Sequence, residues 1–225
     1  MDEFYQTLYI TFKLAFLTTL LLIFIGIPIG YFLAYSKFRF KSFLEAIINL
    51  PLVLPPTVLG FYLILAFNPD SFLGSLIEKY LGVKLVFSFE GLVFASTIYS
   101  LPFMVNSLYS GFSSIPKSII EASYTLGKSK LQTLLKVILP NMKPSILTGL
   151  VLTFAHTIGE FGVVLMIGGS IPGETKVASI AIYEEVESLN YQQAHKYALI
   201  LILISFLVLL IVYTVNRRFF QAGRL

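Results

Sequence analysis

The chain has no cysteine, no tryptophan, two histidines and only 12% charged residues. Without cysteine there can be no disulfide framework, thiol nucleophile or thiolate metal site. His156 and His195 are too few and too far apart in sequence to hold a metal. No G-x-x-x-x-G-K-[ST] stretch occurs, so the chain has no phosphate-cradling loop for ATP. No nucleophile–base pair or paired carboxylates stand out, and the chain reads as non-catalytic. Soluble domains carry about 25% charged residues; half that share excludes the soluble class.

What is present is hydrocarbon-compatible sequence. The 225 residues are 56% hydrophobic, with a mean hydropathy of +0.84. The apolar runs are long and unbroken, unlike the alternating segments of about ten residues that build a membrane barrel. The expected fold is therefore all-α: one integral membrane domain over 1–225 with about five spans, near 8–35, 47–67, 92–112, 145–167 and 197–215. Each reaches the ~20 residues needed to cross a hydrocarbon core. The first exceeds a signal-peptide core and has no clear cleavage site, so it is expected to remain.

Charge sorts the connections. Lys and Arg dominate 37–45, 117–143 and 217–224, where the acids are Glu45 and Glu121; the remaining connections are mostly acidic. Positive connections stay in the cytoplasm. This predicts an outside N-terminus, a cytoplasmic C-terminus and a cytoplasmic segment 114–140. The net charge of +4 is then a matter of topology rather than nucleic-acid affinity.

Segment 114–140 reads as two short helices. Ser114 is expected to cap the first and Gly127 to stop it; Ser129 is expected to cap a second that runs to Pro140. Ile119, Ala122, Ser123 and Leu126 share one face by three-and-four spacing. That pattern fits a helix received by a partner, and equally one lying on lipid headgroups. Phe72–Leu81 is amphipathic and too short to span, and is expected to form a surface helix.

Three polar features interrupt the spans. Leu50–Gly60 holds Pro51, Pro55 and Pro56, which cannot sit in an unbroken helix. Broken backbone at membrane depth needs protein or a water-filled cavity to receive it, so Pro55, Pro56 and Thr57 are candidates for a pathway or gate; a packing kink is the alternative. Asn106 is expected to hydrogen-bond a neighbouring helix, with a pathway role as the alternative. Glu160 is the only acid within a span. It follows His156 by four, which predicts that the two pair on one helix face; both are pathway or gate candidates, expected to hold the outer half of the pathway together rather than to bind an anion. Gly159 and Gly162 are expected to permit close helix approach.

Glu121-Ala122-Ser123, three residues, Gly127, nine residues, then Val137-x-Leu139-Pro140 resembles the E-A-A–x3–G–x9–I-x-L-P signature of ABC-importer permeases; Ser123 for the third Ala is the departure. The runs L-P-L-V-L-P-P, G-E-F-G and I-P-G-E-T resemble molybdate permeases of that family. The likeness extends from about Leu8 to Arg218. It implies a type I ABC-importer (MetI-like) permease fold and a homodimer in the lipid of a bacterial or archaeal cytoplasmic membrane. It further implies a separate ATPase that holds ATP and Mg, with no cofactor on this chain, and a substrate-binding protein outside. Ser118, Glu121, Ala122, Ser123, Leu126 and Gly127 would form the coupling helix that docks on the ATPase, with Glu121 hydrogen-bonding or ion-pairing and Gly127 as the backbone stop. The cargo would be molybdate or tungstate; sulfate or another oxyanion is the near alternative. A secondary anion carrier is a different class, but no Lys or Arg stands deep within a span to hold its anion. A membrane scaffold is a third.

Overall fold

The computed structural model describes residues 2–222, with side chains along the last helix described as far as 214. Arg217, Arg218 and Arg224, part of the basic set above, therefore have no described side chains. The described chain is helical: α1 (Glu3–Tyr35), α2 (Lys41–Val53), α3 (Pro56–Phe67), α4 (Phe72–Leu81), α5 (Phe89–Ser113), α6 (Lys117–Thr125), α7 (Lys130–Thr133), a π-helical turn (Leu134–Ile138), α8 (Leu139–Asn141), α9 (Lys143–Gly159), α10 (Gly162–Gly168), α11 (Ala178–Glu187) and α12 (Tyr191–Ala222).

Among the described residues, three helices are long and apolar enough to cross a membrane, Glu3–Tyr35, Phe89–Ser113 and Tyr191–Thr214, or up to five if two bent pairs each count as one. One bent pair is α2 with α3, at 112°. The span expected over 47–67 is thus two helices. Pro51 is carried inside α2 and buried; the break falls at Leu54–Pro55, and Pro56 starts α3. Proline fits the first turn of a helix, where its missing amide costs nothing. The span expected over 145–167 is also divided, because Glu160 is extended (φ −66°, ψ 130°) between α9 and α10. The surface helix Phe72–Leu81 forms as expected, capped by Ser71, whose hydroxyl accepts the Gly74 N–H at 2.9 Å.

The core is organised along α1 and α5. α1 turns Thr7, Thr11, Ala15, Thr18, Gly26 and Gly30 inward, a small-residue stripe that lets helices approach closely without a large apolar driving force. One cluster joins Ile10, Leu14, Leu63, Leu92, Val163, Ile167 and Ile180; a second joins Leu22, Met104, Leu108, Phe112, Ile138 and Met142. By contrast α12 leaves Ile202, Leu203, Phe206 and Leu207 exposed, a surface suited to lipid or a second chain.

Thr11 links α1 to α11. Its hydroxyl donates to Thr7 O (2.8 Å) and accepts the Ala178 N–H (2.8 Å), supplying the helix start that Val177 cannot cap. Nearby Lys176 pairs with Glu3 at 2.9 Å and Glu184 at 2.7 Å. Burial favours the neutral amine of Lys176, but its hydrogen bonds to Glu184 and Glu3 outweigh this and raise it above the ordinary 10.5. Burial alone would raise Glu184, yet the Lys176 hydrogen bond holds it below 4.5. The raised lysine stabilises the fold below 10.5 and loses that contribution above it. The depressed carboxylate stabilises above 4.5 and loses that contribution as pH falls through its folded value. Lys176→Met should therefore lower the melting midpoint at pH 7, by the equivalent of on the order of 1 kcal/mol, because the side chains of both carboxylate partners are solvent-exposed. The difference from the parent chain should shrink as pH falls below 4.5 and vanish once the pH is below the folded value of Glu184; a constant difference across that range would rule out the ion pair as its source.

Candidate functional site

Two regions gather the residues singled out from the sequence. The first is the polar hairpin α6–α7. Ser114 does not cap α6; it closes α5, its N–H bonded to Ser110 O and its hydroxyl donating to Gly111 O at 2.8 Å. Ile115 packs into the core between them, so the chain leaves α5 before Pro116 begins the next helix.

α6 stops as glycine spacing predicts. Gly127 has φ +74°. Its N–H bonds Tyr124 O at 2.9 Å, and the Lys128 N–H bonds Ser123 O at 3.1 Å, the paired closure of a left-handed helix end. Ser129 then opens α7 with a reciprocal cap: Gln132 N–H to Ser129 Oγ, and Ser129 N–H to Gln132 Oε1. The helix expected to run to Pro140 instead widens into the π turn over 134–138 and ends at Asn141. Pro140 brings no amide to the ladder; the Asn141 side-chain amide donates to Val137 O at 2.7 Å next to that gap.

The face expected to join Ile119, Ala122, Ser123 and Leu126 is divided. Ser118, Ile119, Glu121, Ala122 and Leu126 are exposed, Leu126 at 78%; Ser123 is buried and Ile120 half-buried. Ser123 turns inward because its hydroxyl meets that of Thr133, itself fully buried, at 2.9 Å. The departure from alanine in the signature thus fastens α6 to α7. Ser123→Ala should leave Thr133 without a partner, at a cost of ~1–3 kcal/mol. It is read as faster amide exchange over 117–133; unchanged exchange would mean the bond carries no weight. The Glu121 carboxylate makes no ion pair among the described residues, and Lys117, Lys128, Lys130 and Lys136 of the same segment are exposed.

The second region is a cleft of about 560 Å³ where the two chain breaks meet. Pro56 and Thr57 at the start of α3 face Tyr99, His156, Gly159, Glu160 and Gly162 across it. Pro55 caps α3 beside the cleft without lining it. Asn106 is elsewhere: its amide donates to Asn49 Oδ1 at 2.7 Å, tying α5 to α2 as expected of a bond to a neighbouring helix.

His156 and Glu160 do not pair. Because α9 ends at Gly159, Glu160 leaves the helical register that would place it one turn beyond His156. His156 Nδ1 lies 2.9 Å from Ser100 Oγ, which is 3.0 Å from Thr157 Oγ1. Thr157 donates to Thr153 O at 2.9 Å; the consistent order has Ser100 donating to Thr157 and accepting from His156 Nδ1–H. Nε2 then carries a lone pair and offers nothing to an anion. The ring sits between Tyr99 and Phe103, at 4.8 and 4.2 Å between centroids. Glu160 is 4% exposed, and its carboxyl group lies beside the equally buried Ser96 hydroxyl. Its backbone carbonyl accepts from Ser179. Of the two glycines, only Gly162 sits at a close approach: a Cβ there would lie 2.7 Å from Pro56 Cβ, whereas one at Gly159 would meet nothing within 4 Å.

Ser96, Ser100, Thr157 and Ser179 were not singled out from the sequence. Ser96/Ser100 and Thr153/Thr157 are i, i+4 pairs within apolar helices, a signal that two hydroxyl-bearing faces meet.

A family described as binding-protein-dependent transport system inner membrane component matches residues 26–221. The molybdenum transport system permease protein ModB of Azotobacter vinelandii is 46% identical, over 95% of this chain and 94% of its own. The sulfate transport system permease protein CysT of Salmonella typhimurium is 30% identical, over 86% of this chain and 70% of its own. An inward-facing structure of the MetNI methionine ABC transporter superposes with a TM-score of 0.71 at 18% identity, covering 94% of each chain.

Proposed function

The chain belongs to the family of binding-protein-dependent transport system inner membrane components, and from that membership we propose that it is the pore-forming permease subunit of an ATP-driven molybdate importer. The 46% identity to a molybdenum permease across nearly the whole of both chains carries this reading. Two copies would form the pore, lying in a cytoplasmic membrane with N-termini outside and C-termini inside. ATP and Mg would be held by a separate ATPase, and a binding protein would deliver the oxyanion from outside.

The residues have distinct parts. The outward face of α6, with Ser118, Glu121, Ala122 and Leu126, is the surface the ATPase would receive. Gly127 fixes where that helix ends, and Ser123 carries its movement into α7 through Thr133. The α7–α9 segment, bent by 74°, would pass that movement towards the cleft. There the α3 start and the α9–α10 break can shift without disrupting a continuous hydrogen-bond ladder. His156 and Glu160 act in holding that wall rather than in binding the oxyanion: one presents a lone pair, the other a carboxyl.

Proteoliposomes holding the chain, its ATPase and its binding protein should take up labelled molybdate only with ATP. Uptake without the ATPase would instead make it a secondary carrier. The CysT likeness favours sulfate as the second reading; excess sulfate that abolishes molybdate uptake would select it.

A further inference from the structure

A second cavity, of about 690 Å³, runs along the C-terminal half of α1. Ile27, Pro28, Tyr31, Phe32 and Tyr35 form its walls, and Ser36, Leu134 and Lys130 close its end. No acid lines it. Lys130 is exposed and makes no ion pair among the described residues; Lys37 and Arg39, also exposed, follow directly on Ser36. The walls continue into an exposed apolar surface, with Phe24 70% and Ile25 40% exposed on the same helix.

The dimensions match one bilayer leaflet. Nine residue steps from Ile27 to Ser36 cover about 14 Å of helix axis, against roughly 15 Å for half of a hydrocarbon core. Pro28, inside the helix, brings no amide and no bulky flexible side chain, so the groove stays shallow and open there. An apolar trough of leaflet depth that ends at an unpaired ammonium is complementary to a lipid with a negative headgroup.

We propose that this groove binds an anionic phospholipid, with an acyl chain along Ile27, Pro28 and Phe32 and the headgroup phosphate on Lys130. An acidic segment of an ATPase could satisfy Lys130, but it would not fill an apolar trough that opens onto the exposed apolar side of α1. The proposal depends on the topology above only in placing Lys130 at the bilayer edge. Transport or ATPase docking can fail while lipid selectivity persists, so the two readings fail separately.

Native mass spectrometry of the full-length transporter, titrated with phosphatidylglycerol and phosphatidylcholine of matched chains, tests it. The anionic lipid should be retained preferentially. Lys130→Ala should reduce that preference about five-fold, the effect of one lysine near an anionic surface. Lys136→Ala, on the same segment outside the groove, should leave it unchanged. Millimolar inorganic phosphate should not displace the lipid, which separates a headgroup from a free anion. Equal retention of the two lipids, equal effects of the two lysine changes, displacement by phosphate, or shielding of Lys130 by the ATPase with no lipid retained would each overturn the assignment.

Discussion

Gly127→Val is expected to abolish coupled transport while the chain still inserts and folds. Gly127 stands at φ +74°, and nothing lies within 4 Å of where a Cβ would go. The cost is therefore in the backbone and not in packing. An L-residue in the left-handed conformation loses ~1–2 kcal/mol, and a β-branched one is a genuine outlier there. Escaping that conformation undoes both closing hydrogen bonds, Gly127 N–H to Tyr124 O and Lys128 N–H to Ser123 O. It also re-aims Leu126, the most exposed apolar side chain of the helix. Recovery of the ATPase by pull-down should drop together with ATP-dependent uptake. Gly127→Asn should restore much of both, since asparagine tolerates the left-handed region. Normal uptake by the valine variant would show that the helix stop is irrelevant to coupling.

Gly162→Val should produce the opposite pattern, with the ATPase still bound and uptake lost. A Cβ at this position would lie 2.7 Å from Pro56 Cβ and 3.6 Å from Thr57 N. A proline ring cannot rotate away, so α10 and α3 must separate. Forced overpacking of this kind costs ~1–3 kcal/mol, roughly a five- to hundred-fold effect if it falls on one conformation of the cycle. The cleft that both helix starts line would then change shape, some distance along the chain from the hairpin. Gly159→Ala is the control: it has open space around it and should transport normally. Equal losses from the two glycine changes would mean that the close approach is not what matters.

Most of the architecture could be read directly. Long uncharged runs announce spans, and α4 and the stop at Gly127 follow from amphipathic spacing and glycine's backbone freedom. What could not be read was where proline acts. Of three prolines in six residues, Pro51 is absorbed within α2 because neighbouring protein covers it, and only Leu54–Pro55 breaks the chain. The break at Glu160 had no such signal: G-E-F-G reads as helix until Ser179 takes the Glu160 carbonyl. Once that break exists, the His156–Glu160 pairing inferred from i, i+4 spacing loses its basis. Ser123 was misplaced on the outer face for a related reason: its partner Thr133 belongs to the next helix, and helical periodicity does not report across a turn.

The most direct test is a cross-link from the exposed tip of α6. The chain has no cysteine, so Leu126→Cys provides a single thiol for a short photoactivatable reagent in the assembled transporter. The predicted result is an adduct with the ATPase subunit, formed only from the cytoplasmic side and weakened by Gly127→Val. Adducts with lipid alone, or labelling of this thiol by an impermeant reagent applied outside, would contradict the proposal that this hairpin carries the work of ATP into the membrane.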